Sequence, residues 1–367
     1  MKKKILSLML CAALCVGLLP ACSSSASSSS DSGSTTAAAA SESEAADDTA
    51  SDSGDTGATT ATYSISANAT EGTVTAYICQ QFDEMLQEST GGNMSGNVYL
   101  NGSLGNDTEV AEQVMSGQVE FLCTNSANLV TMMSELAVLD MPGILTSLEQ
   151  ARATMDDEDF RAALDEVFES NGLKLLMLSD QGFRQTSSNK ELREVEDFSG
   201  LAIRTMENSI HMAYWESLGA NPTPMNRSEV FISLQQGLLE AQEDPYCSIE
   251  ANNYAEVQEY IIETNHIFSN IIFICNLDYY NSLSEENRTA MEDVCSELLE
   301  DSRTYCDQVN EEALTALQEE GMEYIQLEES VLEEISEITY EAVAPLVSEE
   351  AGEEMVNLFM AAAGVSE

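Results

Sequence analysis

The basic residues of this chain are concentrated between Gly182 and Pro245. The chain has 13 Lys and Arg residues against 65 Asp and Glu, and three of the 13 (Lys2 to Lys4) lie in a leader segment described below. Half of the remaining ten fall in this stretch, namely Arg184, Lys190, Arg193, Arg204 and Arg227. An acidic protein that gathers its few cations in one place is a candidate for binding an anion there. The same cations could instead offset neighbouring acids such as Glu216, and composition alone favours neither alternative.

Arginine is well suited to one anion in particular, the carboxylate. Its guanidinium group is planar, stays charged and can pair with both oxygens of a carboxylate at once. Such a pair gains strength in a cleft that excludes water. For Arg204, the alternative role is a surface ion pair with Glu207, three residues further along.

The overall charge excludes several classes of partner. The formal net charge is −52 and the pI is about 4.1. Such a surface repels phosphate backbones, so nucleic-acid binding is not expected. It also opposes docking of the protein surface on an anionic membrane. Physiological salt screens charges beyond about 8 Å, so the clustered cations would have to capture an anion at short range.

The sequence offers little support for catalysis or for a metal site. It has two histidines, His211 and His266, and it lacks the G-x-S-x-G, H-E-x-x-H and P-loop motifs. Paired acids are plentiful in so acidic a chain, so counting leaves a carboxylate dyad open. His266 is interpreted as a structural hydrogen-bonding residue. We therefore predict a protein that is not an enzyme and that carries no cofactor or metal.

The first residues have the pattern of an export signal. Lys2 to Lys4 precede a short apolar run, Ile5 to Leu19, and the sequence Leu-Pro-Ala-Cys follows and ends at Cys22. This predicts a signal peptide over 1–21 and a lipid-modified Cys22 at the start of the mature protein, anchored to the cell membrane. Ordinary signal cleavage is the alternative. Residues 23–62 are rich in Ser, Ala, Thr and Asp, which predicts a disordered tether.

Six cysteines remain after the leader: Cys79, Cys123, Cys247, Cys275, Cys295 and Cys306. Export permits disulfides, but their spacing shows no C-x-x-C pair. Several lie in apolar contexts such as VEFLC and IIFIC. We predict mostly buried free thiols.

The hydrophobic pattern from Tyr63 onward predicts alternating strands and helices. Strands are expected at 63–67, 96–100, 119–123, 173–178, 183–188, 201–205, 238–243, 271–276 and 322–327. Helices are expected at 70–87 with Thr70 as the cap, from Asn106 or Asp107 to about 117, and at 126–136, 147–171, 208–218, 228–236 and after 284. This alternation indicates an α/β fold whose first domain has a largely parallel sheet.

Several long motifs in one order resemble a known family. They are NGSLGNDTEVAEQVMSGQVEF, GFRQTSSN, DFSGLAIR, LGANPTPMNRSEVF, LQQGLLEAQEDP and YAEVQEYIIETNH. From about Tyr63 to about Asn281 the chain resembles the DctP-type solute-binding proteins of tripartite ATP-independent periplasmic (TRAP) transporters. Its patterning is most similar to that of the sialic acid-binding members.

The resemblance implies a two-domain, periplasmic-binding-protein-like clam-shell (type II-like) with a long hinge helix. We expect domain I at 63–181 plus about 271–309, and domain II at 182–270 plus about 310–365. The implied ligand is a small organic anion, with Arg204 of the G-L-x-I-R motif as its anchor and Arg184 of the G-x-R-Q motif as a second arginine. The implied partners are TRAP membrane permease subunits, and the implied location is extracytoplasmic.

Two positions depart from the family pattern. Asp244 replaces the usual Asn, and Arg227 stands where Phe or Trp is usual. The two side chains could pair with each other. Alternatively, Arg227 could bind a second anion or sugar hydroxyls while Asp244 accepts from hydroxyl or ammonium groups, or Arg227 could point to solvent. Both changes make the site more polar, which favours a sugar acid such as a uronate.

Four further residues are candidates because they follow predicted strands or lie in turns at strand ends: Asn68, Asn101, Asn125 and Glu207. Ordinary capping or turn roles are the alternative for each of them. Asn125 replaces an acidic residue of the sialic acid binders, which argues against sialic acid itself. A C4-dicarboxylate- or sialic acid-binding receptor remains the alternative function, followed by a receptor of an ATP-driven importer.

Overall fold

The computed structural model describes residues 60–365. The predicted signal peptide, Cys22 and nearly all of the predicted tether lie outside the described residues. The tether was expected to end at residue 62, but the first strand already begins at Ala61.

Eleven strands within the described range form two sheets. Their bounds are β1 (Ala61–Ser66), β2 (Met94–Tyr99), β3 (Phe121–Asn125), β4 (Leu173–Phe183), β5 (Gln185–Ser188), β6 (Ala202–Thr205), β7 (Asn221–Pro224), β8 (Ala241–Asp244), β9 (Tyr260–Glu263), β10 (Phe268–Asn276) and β11 (Glu323–Gln326). The strand order is β2-β1-β3-β10-β4 in the first sheet and β11-β9-β5-β8-β6-β7 in the second.

Both sheets are mixed, so the prediction of a largely parallel first sheet is wrong. In the first sheet, β1 is parallel to β2 and β3, but β10 is antiparallel to β3 and β4. The reason lies in how the chain crosses between the sheets. It leaves the first sheet through β4 into β5 and returns through β9 into β10, and the outgoing and returning segments pair, with Phe268 opposite Phe183. Two segments that cross the same boundary in opposite directions must be antiparallel.

The predicted helices are present with corrected boundaries, except the one at 126–136, and the structure adds two short helices that were not predicted. The helices are α1 (Val74–Ser89), α2 (Asp107–Met115), α3 (Leu148–Met155), α4 (Glu158–Ser170), α5 (Ser209–Ser217), α6 (Arg227–Gln235), α7 (Tyr246–Ala251), α8 (Leu277–Ser282), α9 (Glu285–Glu319), α10 (Glu329–Ala351) and α11 (Glu353–Ala362). The two that were not predicted are α7 and α8.

Local hydrogen bonds explain the corrected boundaries. Thr73, not Thr70, caps α1, because its hydroxyl accepts from the Ala76 amide. Asn106 caps α2, in a reciprocal arrangement with Glu109, as one of the two predicted alternatives required. The predicted helix at 147–171 is two helices, because the Asp157 side chain caps α4. The predicted helix at 126–136 is a pair of short 3-10 segments.

The long helix α9 packs beside the first sheet and against a helix that follows the second. It has 35 residues, and it contacts α1 and β4 as well as α7, which follows β8. The last helix, α11, packs against α3 and α4 beside the first sheet. The chain end therefore returns to elements that the sequence analysis assigned to domain I.

The cysteines lie in the apolar interior, as predicted. All six described cysteines are buried free thiols, and all belong to one hydrophobic cluster around β1, β3 and α9. Burial raises the pKa of the Cys247 thiol to about 12, which keeps it protonated and unreactive. Within the described residues, no helix combines the length and the apolar character that crossing a membrane requires.

Candidate functional site

Two adjoining cavities open where the strand ends of both sheets meet. Asn68 follows β1 and Asn125 ends β3 in the first sheet, whereas Arg204 lies in β6 and Arg227 begins α6 beside the second sheet. Each cavity has a volume of about 30 Å³. Both are lined by Asp107, Asn128 and Arg227. Because they share these lining residues, the two neighbouring cavities are together called the cleft below.

Arg204 presents a buried and partly unpartnered guanidinium group to the cleft. The residue is 4% exposed. Its Nε and Nη2 donate to the Met225 carbonyl oxygen at 3.0 and 2.8 Å, and its Nη1 has no hydrogen-bond partner among the described residues. Burial lowers the pKa of Arg204, against the opposing charge of Asp244. No ion pair with Glu207 forms in the described part of the chain, so that alternative is wrong for this structure.

Arg184, between β4 and β5, is fully engaged by the protein. Its Nε pairs with Glu243 Oε2, and its Nη2 donates to the Glu243 carbonyl oxygen at 2.8 Å and to Asp244 Oδ1 at 3.2 Å. Its Nη1 lies 3.4 Å from Ser269 Oγ. Arg184 is absent from the residues that line the cavities. Its role as a ligand contact stays a prediction, and in this structure it holds the two carboxylates that end β8.

Arg227 and Asp244 pair with each other, as one of the sequence hypotheses required. Arg227 Nη2 lies 3.3 Å from Asp244 Oδ1, the same oxygen that accepts from Arg184. The Arg227 side chain is 21% exposed and lines both cavities, which argues against the alternative in which it points to solvent. Asp244 is fully buried, and its Oδ2 has no partner among the described residues.

The first sheet contributes a wall of amides around one carboxylate, Asp107. Its Oδ1 accepts from the Thr124 hydroxyl at 2.6 Å and its Oδ2 accepts from Asn68 Nδ2 at 3.2 Å. Desolvation raises the pKa of Asp107, while these two hydrogen bonds and the charge of Arg227 oppose the rise. Asn125 donates to Ser269 Oγ at 2.8 Å and caps the following turn.

The remaining two candidates lie at the edge of the site or outside it. Glu207 is exposed and lines the cavity that contains Arg204. Asn101 is exposed, has a left-handed backbone (φ 57°) and lines neither cavity. Its turn role accounts for it, and ligand contact by Asn101 stays a prediction.

Sequence reasoning missed the buried acid at the centre of the network, Glu243. Besides Arg184, it contacts His266 Nε2 at 3.2 Å through Oε2 and lies 3.7 Å from His211 Nδ1 through Oε1. Although burial alone would raise the pKa of Glu243, the charge of Arg184 and the two histidines hold it well below its usual value. The only available signal was its place beside Asp244 in the EAQEDP motif.

The surroundings of the two histidines shift their pKa values in opposite directions. His266 accepts or donates at Thr264 and Glu243, as a structural hydrogen-bonding residue does, and burial lowers its pKa. His211 lies 3.4 Å from Asp140 Oδ1 as well as near Glu243. Burial would lower its pKa, but these two carboxylates raise it to about 9. His211 is therefore expected to be protonated at neutral pH and to balance the charge of Asp140.

Among residues 60–365, no group of three or more His, Cys, Asp or Glu side chains is placed to hold a metal ion. The cleft instead offers one incompletely paired guanidinium, one arginine held by an aspartate, and a wall of amides and hydroxyls. Such an arrangement can bind a small polar anion by hydrogen bonds.

Comparison with known proteins points to one family. The family model described as bacterial extracellular solute-binding protein, family 7 (DctP) matches residues 65–350. A solute-binding protein of Verminephrobacter eiseniae is 30% identical over 245 residues, which is 66% of this chain and 73% of the relative. The 2,3-diketo-L-gulonate-binding periplasmic protein YiaO of Escherichia coli is 27% identical over 250 residues, 67% of this chain and 75% of the relative.

A solved structure shows the same fold. The sugar acid binding protein DctPAm from Advenella mimigardefordensis, in complex with galactonate, has a TM-score of 0.79 and 23% sequence identity. The match covers 83% of this chain and 97% of that protein. The predicted two-domain α/β class is thereby confirmed.

Proposed function

Since this chain belongs to family 7 of the bacterial extracellular solute-binding proteins, the DctP receptors of TRAP transporters, we propose that its solute is a small sugar acid whose carboxylate binds Arg204. The observation that carries this proposal is the buried Nη1 of Arg204, which lines the cleft and lacks a partner among the described residues. A buried charged donor without a partner is costly unless a ligand supplies the acceptor.

The Met225 carbonyl oxygen determines which N–H groups of the Arg204 guanidinium remain available to a ligand. It accepts from Nε and Nη2 on one side of the group. Both N–H groups of Nη1 and one of Nη2 remain, and these form the end that can pair with two carboxylate oxygens. No covalent step is needed for such a receptor, which binds its solute and releases it to a membrane permease.

The rest of the cleft suits hydroxyl groups. Asn68, Asn125, Asn128 and Thr124 line it. Their N–H and O–H groups already donate within the protein, to Asp107, Ser269 and Thr124. The amide oxygens of Asn68 and Asn128, however, can accept from ligand hydroxyls. Two of the similar proteins are named for 2,3-diketo-L-gulonate and for sugar acids, both of which combine one carboxylate with oxygen-bearing carbons. These likenesses support a sugar acid over an unsubstituted aliphatic acid.

A thermal-shift screen of uronates, aldonates, sialic acid and C4-dicarboxylates tests the proposal. We expect a sugar acid to raise the melting temperature, because a ligand at a hundred times its Kd stabilises the folded state by roughly 2.7 kcal/mol. Chelators should leave the melting temperature unchanged. A screen in which only unsubstituted monocarboxylates bind would contradict the sugar-acid assignment.

We also propose that the two lobes correspond to 63–181 with about 271–309, and 182–270 with about 310–365, and that they close on the ligand. The strands of each sheet fall within these ranges with three exceptions: β1, whose first residues precede 63, β4, whose last residues follow 181, and β10, whose first residues precede 271. We modify this division at one point: α11 contacts α3 and α4, so we assign this last helix to the first lobe.

The location of this receptor is extracytoplasmic, and we propose that Cys22 anchors it to the cell membrane. The supporting observation is the Leu-Pro-Ala-Cys sequence after an apolar run. A diacylglycerol thioether with a second acyl chain gives stable anchoring. Replacement of Cys22 by alanine should move the expressed protein from the membrane fraction to the soluble fraction. If the unaltered protein is already soluble, the anchor proposal is wrong.

A further inference from the structure

We propose that the cleft is built for a ligand with a single carboxylate, and that Asp244 excludes a second one by occupying Arg227. This inference rests on the proposed function, because it assigns the first carboxylate to Arg204. It goes further by separating monocarboxylate sugar acids from dicarboxylates, two classes that a polar, arginine-lined cleft could both accept.

The charged groups around the cleft leave no surplus of positive charge. Three arginines lie in or directly beneath it, and four carboxylates accompany them. The arginines are Arg184, Arg204 and Arg227, and the carboxylates are Asp107, Glu243, Asp244 and, at the exposed edge, Glu207. A ligand with one carboxylate adds one negative charge, and a dicarboxylate adds two.

Only one of the three arginines is free of an ion pair in the described part of the chain. Arg184 pairs with Glu243 and Asp244, and Arg227 pairs with Asp244. Arg204 makes no ion pair, and its hydrogen bonds go to a neutral carbonyl. One carboxylate therefore finds a charged partner without breaking a contact that is already present.

Arg227 would be the natural partner of a second carboxylate, since it lines both cavities. However, its Nη2 is held at 3.3 Å by Asp244 Oδ1. The position of Asp244 is fixed in turn by Arg184, which donates to the same oxygen at 3.2 Å. A second ligand carboxylate near Arg227 would lie close to the charge of Asp244, which opposes it.

The opposite wall of the cleft also disfavours a second carboxylate. Asp107 lines both cavities, and each of its oxygens already accepts a hydrogen bond, one from Thr124 and one from Asn68. When two carboxylates share a site without a cation between them, each charge makes ionisation of the other less favourable. A hydroxyl group meets no such penalty, because it can donate to a carboxylate oxygen.

The test compares sugar acids that differ only in their far end. Galactonate is measured against galactarate, and gluconate against glucarate, in which a terminal carboxylate replaces the CH₂OH group. Isothermal titration at neutral pH and fixed salt should give at least tenfold tighter binding for the monocarboxylate of the better-binding pair. Asp244→Asn should reduce that preference at least fivefold by improving dicarboxylate binding, because it frees Arg227 from its counter-charge.

The expected result for Asp244→Asn is tighter dicarboxylate binding. A misfolded protein could not produce such a gain. Should Asp244→Asn fail to fold, Asp107→Asn provides the second variant, since Asp107 lies in the wall and does not hold the buried arginines. It should reduce the preference in the same direction. Glu229→Gln removes one exposed acid from the helix that begins at Arg227, and it should leave the preference unchanged.

The possible failures are distinct. Equal or tighter binding of the dicarboxylates by the unaltered protein, with Arg204 still required, overturns the single-carboxylate inference and leaves the receptor function intact. An unchanged preference in both the Asp244 and the Asp107 variants also overturns it. If none of the organic acids binds, the proposed function and this inference fail together.

Discussion

Replacement of Arg204 by alanine should abolish the ligand-induced rise in melting temperature. The guanidinium is buried, and its free end is the only cationic group of the described cleft without a carboxylate partner. Loss of one partner of a buried, hydrogen-bonded charge pair costs about 2–5 kcal/mol, which is roughly a thirtyfold to several thousandfold loss of affinity. Titration calorimetry with the tightest acid of the screen would measure it directly.

Two variants separate this role from general charge effects. Arg193→Ala also removes one cation, but Arg193 is exposed and pairs with Glu191 and Glu323 at the surface, so affinity should change less than threefold by the usual size of such pairs. Arg204→Lys keeps the charge but loses the planar two-donor end, and it should bind at least tenfold more weakly than the unaltered protein. Undiminished binding by Arg204→Ala would refute the anchor assignment.

Replacement of Glu243 by alanine should be among the most destabilising single changes in the described chain. The variant leaves Arg184 with Asp244 as its single carboxylate partner and deprives His266 and His211 of their shared carboxylate. Removal of one partner from a buried ion pair costs about 3–5 kcal/mol. For a cooperative unit of roughly 300 residues this corresponds to a decrease of roughly 5–8 °C in melting temperature.

The matched control lies three residues earlier in the chain. Glu240 also pairs with a cation, Lys190, but both side chains are more than one third exposed. Glu240→Gln should therefore change the free energy of unfolding by less than about 1 kcal/mol. Denaturant unfolding of both variants gives the comparison, and equal effects would show that the Glu243 network contributes no more than a surface pair.

The sequence predicted the elements well where a local signal was strong, either a capping residue or a continuous apolar run. The capped start of α2 at Asn106 and the buried strand β10 are examples. The sequence-based prediction failed where the direction of a strand, parallel or antiparallel to its neighbours, depends on the path of the whole chain. No local pattern records that β10 re-enters the first sheet opposite to β3, because strand direction follows from the crossing between sheets.

The candidate site likewise contains residues that the sequence could identify and residues whose role depends on the fold. Arg204 could be singled out from the sequence, because few cations remain in this acidic chain and its motif resembles that of a carboxylate receptor. The structure places it in the cleft, but it places Arg184, chosen by the same reasoning, in a buried network beneath it. Residue type and motif do not tell which donors of an arginine are already used.

The sequence by itself determined the charge, the α/β class, the family resemblance and the concentration of cations between Gly182 and Pro245. These properties depend on composition and on local order along the chain. Only the tertiary structure decided that Asp244 holds both Arg184 and Arg227, and that Glu243 joins Arg184 to two histidines. Pairing between charges is set by distances across the fold, so the number of free cations in the cleft becomes known only when both sheets are in place.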